Sequence, residues 1–391
     1  MNVGECNIVV MGVSCFDGMA SSTRVRNLLT PLVEKKLITV SNLIYQKDTR
    51  ENIGKQGNLN NISFKVIGFR LSNIFSIFGF LFGGLSFLKK AKRAGCKNII
   101  YNYNAPDVKN IFFILCARLI GYKIIFDIIE DNSFEAHVGF INKFRIKTSV
   151  FLLKRCRYFA DGMVGISEHL YQLVQVLSKN KIPCYLIPIT VNLNYFKNSS
   201  IAKQTDNLQI FYGGSFGKKD GLEYLISAFD KVSEVHTTSK LIFTGLGHKQ
   251  DIERVNAQIE KAVNKERIVY KGFLSNEAYY ALLNDCDIFC MTRVNSKFAN
   301  AGFPFKLGEF LASGKAVVAT NVGDVSNYLF NDVNALVITP DSVDALVDAL
   351  LILIEQPAKR QAIGAEARKT AEQFFDSETV GMKLLSIFQS V

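Results

Sequence analysis

Residues 208–229 read LQIFYGGSFGKKDGLEYLISAF, and residues 293–323 read RVNSKFANAGFPFKLGEFLASGKAVVATNVG. In the first stretch a largely apolar run, Leu208–Tyr212, has the length of a buried strand. A glycine-rich turn from Gly213 to Gly221 follows, and then apolar residues recur at helical spacing. Strand, glycine turn and helix in that order let a backbone approach a phosphate and offer amide donors at a positive helix end. Gly213 and Gly214 would supply the close approach, and Lys218 or Lys219 would add full charge. Glycine turns after strands are also common structural features, so the turn alone does not decide binding. In the second stretch a strand ends at Arg293, and a polar loop leads to Gly302-Phe303-Pro304. A helix then carries Lys306 and Glu309 until Ser313-Gly314 stops it. Three residues apart, Lys306 and Glu309 share a helical face. A carboxylate there can accept hydrogen bonds from two vicinal hydroxyls while cations meet phosphates. The plainer reading is an exposed ion pair, worth under about 1 kcal/mol.

The same alternation extends along the whole chain. Strand-like runs fall in the first half at 7–13, 39–45, 62–69, 98–103, 123–129, 162–167 and 184–189. In the second half they fall at 208–214, 240–245, 267–273, 288–293, 316–322 and 335–338. Most are short and nearly continuously apolar, as parallel strands buried on both faces are. Helical patterns separate many of them. The fold expected is α/β, with two doubly wound Rossmann-like domains facing a cleft. A length of 391 residues suits two such domains. The polar segment Asn192–Asn207 reads as the linker, giving domains 1–197 and 205–375. The last residues, about 376–391, are expected to pack as a helix back onto the first domain.

The net charge of +11 is uneven. Residues 1–197 hold 26 Lys/Arg against 12 Asp/Glu, and residues 198–391 hold 20 against 23. A basic half attracts polyanions: nucleic acid, anionic lipid headgroups or a phosphorylated substrate. The eight cysteines show no disulfide framework or paired metal knuckle, and read as free thiols in a reducing compartment. The four histidines form no HExxH pattern or carboxylate cluster suited to a metal. The opening MNVGECNIVVMGV lacks a basic region before its apolar run and reads as a first strand instead of a signal peptide. Two stretches combine apolar bulk with cations: Leu71–Leu88, followed by Lys89, Lys90, Lys92 and Arg93, and Lys143–Arg157. Each fits either a partly buried crossover helix or a helix lying in a membrane interface. A spanning helix at the first would tear the sheet apart.

The order GGSFGKKDG-LEYLISAF, LIFTGLG, VYKGFLSNEAYYALLNDCDIFCMTR, GFPFKLGEFLASGKAVVATNVGDVSNYL strongly resembles the C-terminal half of retaining GT-B glycosyltransferases of the family 4 type (glycosyl transferases group 1), over about residues 208–375. The first half is similar in outline: a Gly12–Gly18 loop, a helix with Arg24, the strand FDIIED, and the phrase FADGMVGISEHLYQLV. In that family the second glutamate of an E-x7-E motif holds the donor ribose, and Glu309 matches it. Ala301 stands where the first glutamate would be, so AGFPFKLGE resembles a variant branch with FPxKxxE. The family pairs an arginine of the glycine turn with a lysine to hold the diphosphate. Lys219 matches the lysine, Gly214 occupies the arginine's place, and Arg293 or Lys306 would supply the missing charge.

The resemblance implies metal-independent transfer, with retention, from a nucleotide-diphosphate sugar. The donor would be bound by Gly213, Gly214, Lys218, Lys219, Gly245, Arg293, Phe303, Lys306 and Glu309. It would be acted on by Lys219 and Glu309, with Asp127 and Glu130 as acceptor contacts or bases. Gly12, Ser14, Gly18 and Arg24 would line the acceptor side. A lipid-linked or oligosaccharide acceptor, surface polysaccharide or glycolipid assembly, and a cytoplasmic, peripheral membrane location complete the expectation. Glu168-His169 reads as the start of a helix after Ser167. A nucleotide-sugar epimerase or hydrolase on the same fold is the alternative. A nucleic-acid binder lacks any recognition motif here.

Overall fold

The structure, a computed structural model, describes residues 6–16, 19–45, 52–69, 74–131, 140–196 and 207–391. The chain divides into unit one, Met1–Pro188 with Ser377–Val391, and unit two, Ile189–Asp376.

Unit one runs β1 (Cys6–Met11), α1 (Ala20–Glu34), β2 (Ile38–Tyr45), β3 (Gln56–Leu59), β4 (Ile62–Ile67), α2 (Ile74–Ala91), β5 (Lys97–Tyr103), α3 (Ile111–Leu119), β6 (Lys123–Ile128), α4 (Phe140–Leu153), β7 (Gly162–Gly165), α5 (Glu168–Ser178) and β8 (Cys184–Leu186). Its sheet has the order β3-β4-β2-β1-β5-β6-β7-β8. All neighbours are parallel except β3 and β4. Strands such as CNIVVM are buried throughout, the burial that a sheet covered on both faces requires. The sequence did not announce β3: QGNL is exposed at every position and carries no alternation. A two-residue Asn60-Asn61 turn, with both φ positive at 52° and 62°, folds it back on β4.

Unit two runs β9 (Gln209–Ser215), α6 (Leu222–Val235), β10 (Lys240–Leu246), α7 (Lys249–Ile259), β11 (Ile268–Tyr270), α8 (Asn276–Asp285), β12 (Ile288–Met291), α9 (Lys297–Ala301), α10 (Phe305–Ala312), β13 (Ala316–Thr320), α11 (Val325–Tyr328), β14 (Leu336–Ile338), α12 (Val343–Glu355) and α13 (Pro357–Phe374). The sheet is parallel throughout, in the order β11-β10-β9-β12-β13-β14. The core on one side gathers Leu225, Phe229, Leu241, Phe243, Leu350 and Leu353. The final helix, α14 (Ser377–Ser390), belongs to unit one and lies against α1.

The boundary falls earlier than the polar composition of 192–207 suggests. The Val191 amide donates to the Phe375 carbonyl (2.8 Å), and Phe196 packs on Tyr280, so the segment from Ile189 belongs to unit two. Residues 197–206 of the expected linker lie outside the described residues.

No helix among the described residues is long and apolar enough to cross a membrane. The stretch Leu71–Leu88 becomes most of α2, which buries Phe80 and Leu88; residues 71–73 lie outside the described residues. The stretch Lys143–Arg157 falls on α4 and a short 3-10 turn, burying Ile146, Leu153 and Cys156. Ser167 caps α5, its hydroxyl accepting from the Leu170 amide (3.2 Å), so Glu168-His169 opens a helix. All eight cysteines are free thiols, with Cys286 and Cys290 buried.

Candidate active site

In unit two the chain moves outward from β9 through β10 and β11, then returns to the other side of β9 with β12. Loops leaving β9 and β12 therefore diverge, and a crevice at such a switch point is where open α/β sheets bind ligands. The loop after β9 is the glycine turn; the loop after β12 begins with Thr292 and Arg293. Two hydrogen bonds tie the two loops into one platform, and a third braces the end of β9. Thr292 Oγ1 donates to the Asp220 carbonyl (2.9 Å), the Val294 amide to the Lys219 carbonyl (3.0 Å), and the Tyr212 hydroxyl to the Ser215 carbonyl (2.6 Å). Gly245 is required from the neighbouring strand: its φ is 144°, and a Cβ there would lie 1.7 Å from the Gly214 carbonyl oxygen. Gly213 and Gly214 have a packing reason too, since a Cβ would fall 2.9 Å from the Phe211 ring or the Tyr212 hydroxyl.

The platform is charged. Asp220, 6% exposed, ends the short turn Lys218–Asp220, and the Ser215 hydroxyl donates to its Oδ2 (2.6 Å). Burial raises the Asp220 pKa, against the opposing pull of Arg293 and Ser215. The Lys219 ammonium sits over the Phe298 ring, 4.5 Å from its centroid, and Lys218 is exposed. Arg293 is half-buried; its Nη1 reaches the Ala299 carbonyl at 3.5 Å, and its own carbonyl accepts from Thr320 Oγ1 (2.7 Å).

Beside the platform α10 presents Lys306 and Glu309. They do form an ion pair, Nζ to Oε2 at 3.1 Å, but not an exposed one: Glu309 is 5% accessible. The Tyr279 hydroxyl donates to Oε2 (2.9 Å) and the Tyr280 hydroxyl to Oε1 (3.2 Å). Lys306 also lies over the Tyr279 ring at 4.0 Å. Burial, then the Glu309 charge, push the Tyr279 phenol well above its ordinary pKa, so it stays a donor. Tyr280 stacks on Tyr195 at 4.2 Å and 10°. Sequence reading missed Tyr279, Tyr280, Tyr195 and Asp220. The AYYALL run of α8 was the available signal for the first two, a tyrosine pair on a helix where one face must be buried. Phe303 requires correction. It is 2% exposed and packs against Tyr328 and Phe375, so it supports α10 from the core and has no face for a donor.

Unit one has its own switch point between β1 and β5. Gly12 stands there with φ 83°, and a Cβ on it would lie 2.4 Å from the Tyr103 carbonyl oxygen. Ser14 is taken up by its own loop, its hydroxyl accepting from the Phe16 amide (3.2 Å) and its carbonyl accepting from the Ser22 hydroxyl. Gly18 lies outside the described residues. Arg24 and Asp127 also require correction. Both are inaccessible, and they bond each other through Arg24 Nε and Nη2 (both 3.2 Å). Tyr101 donates to Asp127 Oδ2 (2.5 Å), while the Ile187 and Pro188 carbonyls take the rest of the guanidinium. A base must reach its acceptor, and this carboxylate, closed in by Arg24 and Tyr101, does not. Glu130, half-buried just beyond β6, keeps access to solvent. Among the described residues no three His, Cys, Asp or Glu side chains gather as a metal site requires.

Two Rossmann-like units, the second with a glycine turn beside a buried carboxylate and its lysine partner, form a GT-B fold. Residues 196–370 match the family model described as glycosyl transferases group 1. An uncharacterized glycosyltransferase of Methanocaldococcus jannaschii is 23% identical over 191 residues, 49% of this chain and 47% of that protein. The chain thus spans about half the length of that relative. In fold, it is similar to sucrose-phosphate synthase from Thermosynechococcus elongatus (TM-score 0.76, 15% identity, 99% of this chain and 98% of that one). It is also similar to Anabaena HepE in complex with UDP and glucose (TM-score 0.73, 17% identity, 99% and 100%).

Proposed function

We propose that the chain is a retaining, metal-independent glycosyltransferase. It moves a sugar from a nucleotide-diphosphate donor to a glycan or lipid-linked acceptor in surface polysaccharide or glycolipid assembly, at the inner face of the cytoplasmic membrane. The observation that carries the reading is the Glu309 carboxylate, held between Tyr279, Tyr280 and Lys306 beside the glycine platform. A carboxylate fixed in this way suits the vicinal hydroxyls of a ribose, and the longer Tyr280 bond is the one a diol displaces. Uridine is the base to try first, because HepE, similar in fold, binds UDP and glucose.

The diphosphate then lies along Gly213 and Gly214, with Lys219, Arg293 and Lys306 as its cations. When the sugar–phosphate bond breaks, negative charge builds on the leaving diphosphate. Fixed cations and amide dipoles stabilise that charge without reorganising. Lys219 and Arg293 are suited to this, because both are half-exposed cations at the glycine platform. Lys218 is a further exposed cation at the turn. Glu130 remains the acceptor-side carboxylate.

The test is a panel of nucleotide sugars, scored for nucleotide diphosphate release with and without lipid-linked acceptors. One donor should be turned over, and Glu309→Ala should weaken its binding by about 10–100-fold, the loss of one or two charged hydrogen bonds. Release from no donor, together with unchanged donor binding by Glu309→Ala, would overturn the proposal.

A further inference from the structure

Helices α2 and α3 pack side by side in unit one, with the Phe80 and Phe113 rings meeting edge to face at 5.1 Å beneath them. Their inward residues are buried, yet their outward residues are not polar. On α2, Phe75, Phe78 and Phe82 are 80%, 51% and 68% exposed. On α3, Phe112, Leu115 and Leu119 are 37%, 45% and 87% exposed. Both sets follow the spacing i, i+3, i+7, so each helix shows one continuous apolar stripe outward. Phe78 and Phe82 stack on each other at 6.5 Å, which presents them as a ridge. Single exposed apolar residues need no explanation, but two neighbouring stripes mark a contact surface.

The charges around the ridge decide what it contacts. About two turns past Phe82, the same face of α2 continues into Lys89 and Lys90, both exposed, and Arg93 follows just past the helix end. From Ile74 to Leu119 the chain contains one acidic residue, Asp107, and its carboxylate caps the Lys109 and Asn110 amides. A second copy of this chain, or any other basic protein face, would bring like charges together on docking, which costs affinity. An anionic lipid interface offers both complements: an acyl boundary for the rings and phosphates for the lysines.

We infer that α2 and α3 form the face by which the protein lies on an anionic bilayer. Phe78, Phe82, Leu115 and Leu119 enter the interface, and Lys89 and Lys90 meet headgroup phosphates. The inference rests on the reading of a membrane-held acceptor, and it names the surface that brings the enzyme to it. The apolar part should persist in salt and the basic part should fade, because only the latter is screened.

Full-length protein is floated with vesicles of phosphatidylglycerol and phosphatidylcholine, and with phosphatidylcholine alone. Binding to the anionic vesicles is expected, with little to the neutral ones. The double variant Phe78→Ser/Phe82→Ser should bind at least about tenfold more weakly at low and high salt alike. Lys89→Glu/Lys90→Glu should bind as weakly at low salt, and differ least from the native chain at high salt. Equal binding to both vesicle types, or native-like binding by both variants, overturns the inference. So does a dimer in sedimentation without vesicles that the Phe78→Ser/Phe82→Ser variant abolishes, which would assign the ridge to self-association. Nucleotide diphosphate release without vesicles is measured in parallel on every variant. It should be unchanged, since these residues belong to unit one and the glycine platform to unit two. Vesicle binding without turnover of any donor would sink the transferase reading alone, and turnover without vesicle binding would sink this inference alone.

Discussion

Units one and two are built alike and use their charges in opposite ways. Each is a mainly parallel sheet whose chain reverses beside a central strand, and each has glycine at that strand's end: Gly12 just after β1, Gly213 and Gly214 in the last residues of β9. In unit one a charged pair, Arg24 and Asp127, is sealed inside, and its members bond each other. In unit two, Lys219, Arg293 and Lys306 stay half-exposed at the glycine platform, Lys219 over the Phe298 ring and Lys306 paired with Glu309. A sealed pair is structure, because neither partner can leave without stranding the other in a low dielectric. Half-exposed cations beside a glycine turn can still meet a phosphate. An acidic residue at a strand's end is therefore not evidence of a base until its accessibility is known.

The largest effect expected from this contrast is in unit one. Arg24→Leu strands the Asp127 carboxylate and should cost about 3–5 kcal/mol of stability, read as a lowered denaturant midpoint. Donor affinity measured below that midpoint should be native. A variant that folds normally but loses acceptor transfer would instead restore Arg24 and Asp127 to the acceptor site and break the comparison. Gly245→Ala comes next. A side chain at φ 144° facing the Gly214 carbonyl forces the glycine platform to move, at a cost of roughly 1–3 kcal/mol. Here stability and donor affinity should fall together, whereas in unit one only stability falls. Calorimetric donor titration beside a thermal melt separates the two cases.

Much of this was legible in the sequence, because buried parallel strands are apolar runs and the switch-point turns are glycine-marked. The β3 edge was not: QGNL owes its strand to the Asn60-Asn61 turn and to β4, neither of which imposes an apolar pattern. Glu309 was found through spacing and resemblance, but its burial was not. Its partners Tyr279 and Tyr280 lie about thirty residues away, and only the fold brings α8 to α10. Phe303 and Asp127 failed for a common reason. Position near a motif shows which loop a residue belongs to, while the direction its side chain takes depends on packing that no local pattern records.

Tyr280→Phe sharpens the contrast on a smaller scale. It removes one neutral donor from Glu309 Oε1 and leaves the stack on Tyr195, so stability should fall by about 1 kcal/mol or less. Donor affinity should rise, or stay level, if a ribose hydroxyl takes the vacated oxygen. A fall of tenfold or more would mean that Tyr280 contacts the donor itself.

The smallest effect is expected at Asp220, where it is visible only against pH. Burial raises this carboxyl's pKa in the folded chain above its unfolded value. Its contribution is therefore most favourable below the unfolded value near 3.8, and is lost as pH rises through the folded value. Above the folded value the charge is carried at a cost in stability. Asp220→Asn mimics the protonated form at every pH and can still accept from Ser215. Urea midpoints should show the variant equal to the native protein in acid and more stable at neutral pH. Its donor affinity at neutral pH should rise as well, because a negative charge beside Arg293 weakens the cation a diphosphate needs. If the variant is instead less stable at neutral pH, the Arg293–Asp220 attraction outweighs burial. Unit two would then hold a sealed pair of the same kind as Arg24 and Asp127, and the division between the units would narrow to Lys219, Lys306 and Glu309.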